Sequence, residues 1–226
     1  ELVQFNTVSR DSNLPLIDHI ANYLDDLGIR SHRVESADGK KSNLYASVGP
    51  NEPGGVVLSG HTDVVPTDGQ DWHTDPFAPE VKENRLYGRG TCDMKGFIGT
   101  ALALAPEMDS LIKPIHFALS YDEEVGCKGA PSMIAEILEN IPKPEAVIVG
   151  EPTQMKAITG HKGMVTLTTS ILGFEAHSSQ THRGVSAVMT AAKLVEKLNS
   201  MATELAEHTN IDTGFEPHHS TIHVGI

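Results

Sequence analysis

The chain has 226 residues, with 17 Lys plus Arg against 30 Asp plus Glu and a formal net charge of −13. This acidic balance argues against a nucleic-acid partner, because proteins that bind nucleic acids neutralise phosphates with Lys and Arg. Apolar residues make up 39% of the chain, as in folded proteins, and no apolar run reaches the roughly 18 to 20 residues that cross a membrane.

Helix and strand patterns alternate along the first two thirds of the chain. This alternation predicts an α/β fold with a mostly parallel sheet flanked by helices. The predicted segments are a helix over 13–27, strands over 43–48 and 56–59, a loop over 65–90 with a hairpin near 82–87, a buried helix over 96–106, a strand over 115–120, a helix over 130–140 and a strand over 146–149.

The pattern changes after Gly160. Residues 164–171 alternate as in a long strand with one exposed face, a helix is expected over 185–199, and residues 220–226 alternate again. We therefore predict two domains, 1–160 and 161–226, the second of them α+β. Because the sequence starts without Met and stops inside a strand-like run, we expect a fragment of a longer protein.

Histidine and carboxylate residues lie where the apolar segments end. In open α/β sheets this edge is where ligands bind. Imidazole and carboxylate groups without a cysteine cluster suit a hydrolytic zinc site or a related divalent site, in which one carboxylate can bridge two ions about 3.5 to 4 Å apart. The residues are His61 and Asp63 after the strand at 56–59, Asp93 before the helix at 96–106, Asp122, Glu123 and Glu124 after the strand at 115–120, and Glu151 after the strand at 146–149.

Each of these residues also has an ordinary structural interpretation. His61 could be a surface residue, Asp93 a helix cap and Glu151 a turn residue. Their joint placement at successive segment ends favours the metal site. Asp63 lies two residues beyond His61, so in extended backbone it points the same way and could orient the imidazole.

Other motifs point less clearly to chemistry. Gly88-Arg89-Gly90 lacks the third glycine of a dinucleotide-binding loop, so nucleotide binding has little support. Cys92 and Cys127 lack CxxC spacing, and we expect them to be small core residues. With only two cysteines and no leader-like first residues, we expect a cytoplasmic location.

Four segments, in order, resemble the motifs of the di-zinc amidohydrolases. This family includes acetylornithine deacetylase, succinyl-diaminopimelate desuccinylase, aminoacylase and glutamate-releasing carboxypeptidases. Thr91-Cys92 and the run Ser120–Cys127 are most similar to the acetylornithine deacetylase group, and the resemblance covers essentially the whole chain. The four segments are Ser59–Pro66, Gly88–Gly96, Asp122–Cys127 and Gly150–Thr153.

The resemblance implies a role for each site residue. His61 and Glu151 would bind one zinc ion, Glu124 the other, and Asp93 would bridge the two, with Co²⁺ as a possible substitute. Glu123 would be the general base, and Asp63 would support His61. The resemblance further predicts a cis peptide bond between Asp93 and Met94.

The segment Gly173–Ser179 resembles part of the family's lid, or dimerisation, domain. It implies a homodimer in which His177 stabilises an oxyanion in the partner subunit's active site, whereas the alternative is an exposed loop histidine. The residues 1–160 would then be an incomplete catalytic domain and 161–226 a partial lid domain. Since the family supplies a last histidine ligand near its C-terminus, we expect this chain alone to be inactive.

The reaction implied by the resemblance is hydrolysis of N2-acetylornithine, a small N-acyl amino acid, to ornithine and acetate in arginine biosynthesis. A desuccinylase or another N-acyl amino acid hydrolase is the alternative within the same class. A metal-binding or interaction module without activity is the alternative from another class.

Overall fold

The structure is a computed structural model that describes residues 1–208 and 213–225. Contacts divide the chain into two compact units, Glu1–Lys156 and the residues from Ala157 onward. Within the described ranges, no helix is both long enough and apolar enough to cross a membrane.

The first unit contains seven strands among the described residues: β1 (Ser31–Glu35), β2 (Ser42–Val48), β3 (Val56–His61), β4 (Glu80–Lys82), β5 (Arg85–Tyr87), β6 (Ile115–Ser120) and β7 (Ala146–Val149). Five of them form one sheet with the strand order β1-β2-β6-β3-β7. Strand β3 lies between β6 and β7 and runs parallel to both, whereas β2 is antiparallel to β1 and to β6. The predicted α/β class is confirmed, and the sheet is mixed.

The register of the parallel strands brings their carboxyl ends to one edge of the sheet. His61 at the end of β3 pairs with Ser120 at the end of β6, and Ser59 pairs with Val149 at the end of β7. The three segments that follow these strands therefore start side by side.

Helices cover both faces of this sheet. The first two helices and the sheet share one core, centred on Leu44 and Phe117, while the third helix packs Met133 against Val57 and Ala118 on the other face. Pro15 stands in the first turn of the first helix, where its missing N–H costs nothing. The helices are α1 (Leu14–Asp26), α2 (Lys95–Ala103), α3 (Ala130–Asn140) and α4 (Ala187–Glu207).

The long loop after β3 contains the predicted hairpin, formed by β4 and β5. Glu83 and Asn84 connect the two strands with φ values of 53° and 58°. Positive φ at both central residues is the requirement of the two-residue turn whose twist matches that of paired strands.

The N-terminal segment runs beside the end of β3. Val8 forms a parallel bridge with Val64, the Ser9 amide donates to the Val64 carbonyl oxygen at 3.1 Å, and the Val64 amide donates to the Thr7 carbonyl oxygen at 3.0 Å. These bonds place Ser9 next to the loop that follows His61. The short apolar run before them forms a single 3₁₀ turn, Leu2–Gln4.

The second unit contains α4 and a 3₁₀ helix, Ser178–Arg183. The Ser186 hydroxyl caps α4 by accepting the Met189 amide at 3.2 Å. The predicted strand over 164–171 is wrong, because these residues have no strand conformation and are largely exposed. A strand needs a backbone partner, and the one bridge in the described part of this unit joins Phe174 to Val185.

The expected strand over 220–226 is also absent from residues 220–225, while Ile226 lies outside the described residues.

Candidate metal centre

His61 is the last residue of β3 and is 2% exposed. Its Nδ1 lies 2.9 Å from the Asp63 carbonyl oxygen, which can only accept a hydrogen bond, so Nδ1 carries the proton. The Nε2 atom then faces the Asp93 carboxylate, whose Oδ1 lies 2.9 Å away. The hydrogen bond at Nδ1 therefore orients the imidazole so that Nε2 faces the carboxylates.

Asp93 lies in the tight turn that leads into α2, and the peptide bond between Asp93 and Met94 is cis, as predicted. The turn packs on itself so closely that a Cβ atom at Gly96 would collide with the Thr91 carbonyl oxygen. Glycine at this position thus allows Asp93 to reach the end of β3.

Asp63 is a buried anchor for the site and is 2% exposed. Its carboxylate accepts the Ser9 hydroxyl at 2.7 Å and the backbone amides of Glu123 and Glu124 at 3.0 and 3.3 Å. Burial acts to raise the pKa of Asp63, but the hydrogen bonds to the carboxylate outweigh it and hold the pKa below its usual value. Asp63 thus links the N-terminal segment and the end of β3 to the loop Asp122–Glu124 after β6, called the acidic loop below, by accepting their hydrogen bonds.

Three of the predicted ligands come together. One ligand atom each from His61, Asp93 and Glu151 lies within 4.8 Å of the others. The Nε2 atom of His61 is 3.8 Å from Glu151 Oε1 and 4.0 Å from Glu123 Oε2. A divalent ion bound by nitrogen and oxygen at about 2.0 to 2.2 Å needs ligand atoms at such mutual distances, so this donor set fits a metal ion.

The electrostatics also favour a cation. Burial and the negative charge of Asp93 raise the pKa of Glu151, and the same two causes raise the pKa of Glu124. Burial acts to lower the pKa of His61. The hydrogen bonds to Asp63 and the negative charge of Asp63 outweigh burial and raise the pKa of His61 to about 9. Several carboxylates therefore share one partly buried space with a single imidazole, and a bound cation would offset their mutual repulsion.

Glu123 and Glu124 follow β6 in the acidic loop. Glu124 is outside the group of three ligand atoms, although the charges of Asp93 and His61 act on its carboxyl. Glu123 is also outside that group, and its Oε2 lies 4.0 Å from His61 Nε2.

His177 belongs to the second unit and is exposed. Its Nδ1 lies 2.8 Å from the Ser179 hydroxyl and accepts the Ser179 amide at 3.2 Å, so it caps the 3₁₀ helix. Its predicted role toward an oxyanion stays a prediction.

The cysteine prediction was wrong, since Cys92 and Cys127 are both exposed. Cys92 directly precedes Asp93, and the Cys127 thiol donates to Glu123 Oε1 at 3.6 Å. Both therefore border the candidate site instead of filling the core.

Sequence reasoning missed two residues of the site's support, Ser9 and Lys41. Ser9 bonds the Asp63 carboxylate, and the Lys41 ammonium bonds both the Ser9 carbonyl oxygen and the Asp122 carboxylate. No spacing motif marks either residue, because both come from segments far from the acidic motifs along the chain.

Comparison with known proteins decides the family. The sequence pattern described as "Peptidase family M20/M25/M40" matches residues 57–221, which include all four predicted ligands. The chain belongs to this family. The predicted membership in a family of metal-dependent hydrolases is thereby confirmed.

Curated M20 relatives named acetylornithine deacetylase are similar along most of the chain. The Myxococcus xanthus protein is 35% identical over 231 residues, covering 100% of this chain and 59% of the relative. The Yersinia pseudotuberculosis (strain IP 31758) protein is 37% identical over 203 residues, covering 87% of this chain and 51% of the relative. The chain thus spans between about half and three fifths of the length of these relatives.

Solved M20 structures share the fold. An M20 family metallo-carboxypeptidase from Sulfolobus solfataricus aligns with a TM-score of 0.58 at 20% identity, over 66% of this chain and 35% of that one. A tripeptidase from Staphylococcus aureus aligns with a TM-score of 0.56 at 21% identity, over 86% of this chain and 53% of that one. At these identities the likeness concerns the fold alone.

Proposed function

We propose that the protein carrying this chain is an acetylornithine deacetylase. It hydrolyses the N-acetyl amide of N2-acetylornithine to ornithine and acetate, a step of arginine biosynthesis. The convergence of His61, Asp93 and Glu151 beside Glu123 carries the proposal, because it joins a metal-ligand set to a free carboxylate. The identity to curated acetylornithine deacetylases supports the choice of substrate.

We propose zinc as the metal, with two ions in each subunit and Co²⁺ as a substitute. His61 and Glu151 would hold one ion, Glu124 the other, and Asp93 would bridge them. Nitrogen and oxygen donors without thiolate are typical of hydrolytic zinc sites. The pKa of Glu124, raised by burial and by the charge of Asp93, supports its place beside this cluster.

The residues of the chain divide the chemistry between them. A divalent cation, when bound, polarises the amide carbonyl and makes a water molecule more acidic. Glu123 accepts a proton from that water at a carboxylate oxygen and passes it to the nitrogen of the leaving amine. Asp63 keeps His61 in its orientation through the Nδ1 hydrogen bond to its carbonyl oxygen, so that Nε2 stays available as a ligand.

We further propose that Glu1–Lys156 belongs to the catalytic domain and that the second unit is part of a lid domain that forms a homodimer. In this dimer His177 would serve the partner subunit's site. Its exposure leaves the ring accessible to a second subunit. We also propose a cytoplasmic location, with Cys92 and Cys127 as free thiols.

The test uses the protein at its natural length, supplied with Zn²⁺ or Co²⁺. Release of acetate from N2-acetylornithine is measured beside release of succinate from N-succinyl-diaminopimelate. We expect acetate release at the higher kcat/KM and its loss in the matched variant Glu123→Gln. Faster succinate release would make the protein a desuccinylase, and metal binding without turnover of either amide would make it a binding module.

A further inference from the structure

A second charged cluster lies behind the candidate metal centre. The Lys41 ammonium forms an ion pair with the Asp122 carboxylate, and the two side chains are 16% and 11% exposed. Lys41 directly precedes β2, and Asp122 is the second residue after β6, the strand next to β2. The pair therefore joins the start of one strand to the turn that follows its neighbour.

Asp122 is the residue at which the chain turns. Its φ is 57°, in the left-handed region, which Asp and Asn tolerate better than other residues with a side chain. The next two amides, those of Glu123 and Glu124, then donate to the Asp63 carboxylate. The conformation of Asp122 therefore sets the direction of both glutamates.

Lys41 also closes a ring of contacts around this turn. Its ammonium donates to the Ser9 carbonyl oxygen, while the Ser9 hydroxyl donates to Asp63. Asp63 in turn holds the amides of Glu123 and Glu124. Two residues thus hold the acidic loop in place. Asp63 accepts the backbone amides of Glu123 and Glu124, and Lys41 pairs with the carboxylate of Asp122.

We propose that Lys41 is a positioning residue that holds the loop bearing Glu123 and Glu124 in its working geometry through Asp122. The roles of the two glutamates rest on the proposed function, whereas the fixing of the loop does not. Loss of one partner from a buried ion pair leaves the other charge uncompensated, so the loop would move to hydrate Asp122. A shift of about 1 Å at a catalytic group can lower the rate by about 10²-fold.

The experiment compares Lys41→Met with Lys41→Arg and with Lys40→Met. Lys40 is the matched control because it is the adjacent lysine, is 77% exposed and pairs only with Asp38 among the ion pairs described. Hydrogen exchange at the Glu123 and Glu124 amides is followed by mass spectrometry, beside urea unfolding of each variant. We expect Lys41→Met to speed exchange at these amides at least about tenfold more than at the β6 amides. Lys41→Arg should restore most of the protection, and Lys40→Met should leave it unchanged.

A uniform rise in exchange across the first unit, or no change at the two amides, would overturn the proposal. The double variant Lys41→Met with Asp122→Asn removes both charges. Because it leaves no buried charge without a partner, it keeps the proposal testable if Lys41→Met fails to fold. It should be more stable than Lys41→Met alone while the loop amides still exchange faster than in the wild type. If it regains full protection of these amides, the pair does not position the loop.

Kinetics of the natural-length enzyme give the functional readout. We expect Lys41→Met to lower kcat at least about tenfold with a KM change below about threefold, because the loop bears Glu123, the proposed base. Unchanged kcat together with faster loop exchange would refute the catalytic part of the proposal. Absence of turnover in the wild type would refute the proposed function, while the exchange data would still decide the fixing of the loop.

Discussion

Replacing Asp63 by Ala removes the acceptor of three hydrogen bonds in the interior of the site. The donors are the Ser9 hydroxyl at 2.7 Å and the amides of Glu123 and Glu124 at 3.0 and 3.3 Å. A buried donor that loses its partner costs about 1 to 3 kcal/mol. The Ser9 hydroxyl has a second acceptor in the Val64 carbonyl oxygen at 3.4 Å, so the two amides dominate the cost. We expect a loss of about 3 kcal/mol in the free energy of unfolding.

Urea unfolding of the metal-free chain, followed by circular dichroism, measures this loss. Asp68→Ala is the control, because Asp68 is 63% exposed and its ion pair with Arg10 lies at the surface, where such pairs contribute about 0 to 1 kcal/mol. Asp63→Asn retains one acceptor oxygen and should cost less than Asp63→Ala. Both Asp63 variants keep the backbone carbonyl oxygen that accepts the His61 Nδ1 proton, so their metal affinity should fall less than the about 10- to 100-fold that follows loss of a ligand's hydrogen-bond partner. If Asp63→Ala destabilises no more than Asp68→Ala does, Asp63 is not the anchor described above.

The remaining predictions concern the base, the metal, the core and pH. Glu123→Gln should lower kcat by at least about 10²-fold with nearly unchanged metal content, whereas Glu124→Gln should lower the metal content measured by atomic emission; equal metal loss in both would contradict the division between base and ligand. Zn²⁺ at 100 times its Kd should raise the free energy of unfolding by about 2.7 kcal/mol, and His61→Asn should abolish most of that rise in a thermal scan. Phe117→Ala should cost about 3 to 5 kcal/mol in urea because Phe117 is 1% exposed, while Phe174→Ala, at 68% exposure, should cost less than about 1 kcal/mol. Burial lowers the pKa of His116, so the unfolded chain binds its proton more tightly; stability should therefore fall as pH drops below about 6.5, and His116→Gln should lessen that fall in unfolding curves between pH 5 and 8.

Much of the first unit could be predicted from the sequence because apolar runs mark its strands and helices. The predicted strands over 115–120 and 146–149 and the predicted helix over 130–140 have their predicted bounds. The strand over 115–120 is largely buried, whereas the side chains of the strand over 146–149 are exposed. Strand β1 was missed, because the polar run Ser31–Glu35 lies at the sheet edge and its strand conformation depends on pairing with β2.

At 164–171 the error is the reverse: a strand was predicted there and does not form. Alternating Thr and apolar residues fit a strand, but periodicity describes only one side of a pairing. Whether a partner strand is present depends on distant residues, and the described part of this unit provides none for 164–171.

The candidate site likewise contains residues that could be predicted from the sequence and residues that could not. The positions of His61, Asp93 and Glu151 could be predicted to converge, because each follows or precedes an apolar segment whose place in an α/β sheet is known in advance. The contribution of Ser9 and Lys41 could not, since it arises from the path of the N-terminal segment and from the mixed sheet that places β2 beside β6.

The contacts of Asp63 also bear on the order in which the chain folds. They join residues 54, 60 and 61 positions apart along the sequence, through Ser9, Glu123 and Glu124. Closing loops of that length costs entropy before any contact forms, whereas α1 and the β4–β5 hairpin need only local contacts. The acidic loop should therefore consolidate after the local elements, and Ser9→Ala should mainly accelerate unfolding while leaving the folding rate almost unchanged. Chevron plots of this variant would give a Φ-value near zero. A site that forms this late leaves its ligand side chains accessible to dissolved metal ions until the sheet around them is complete.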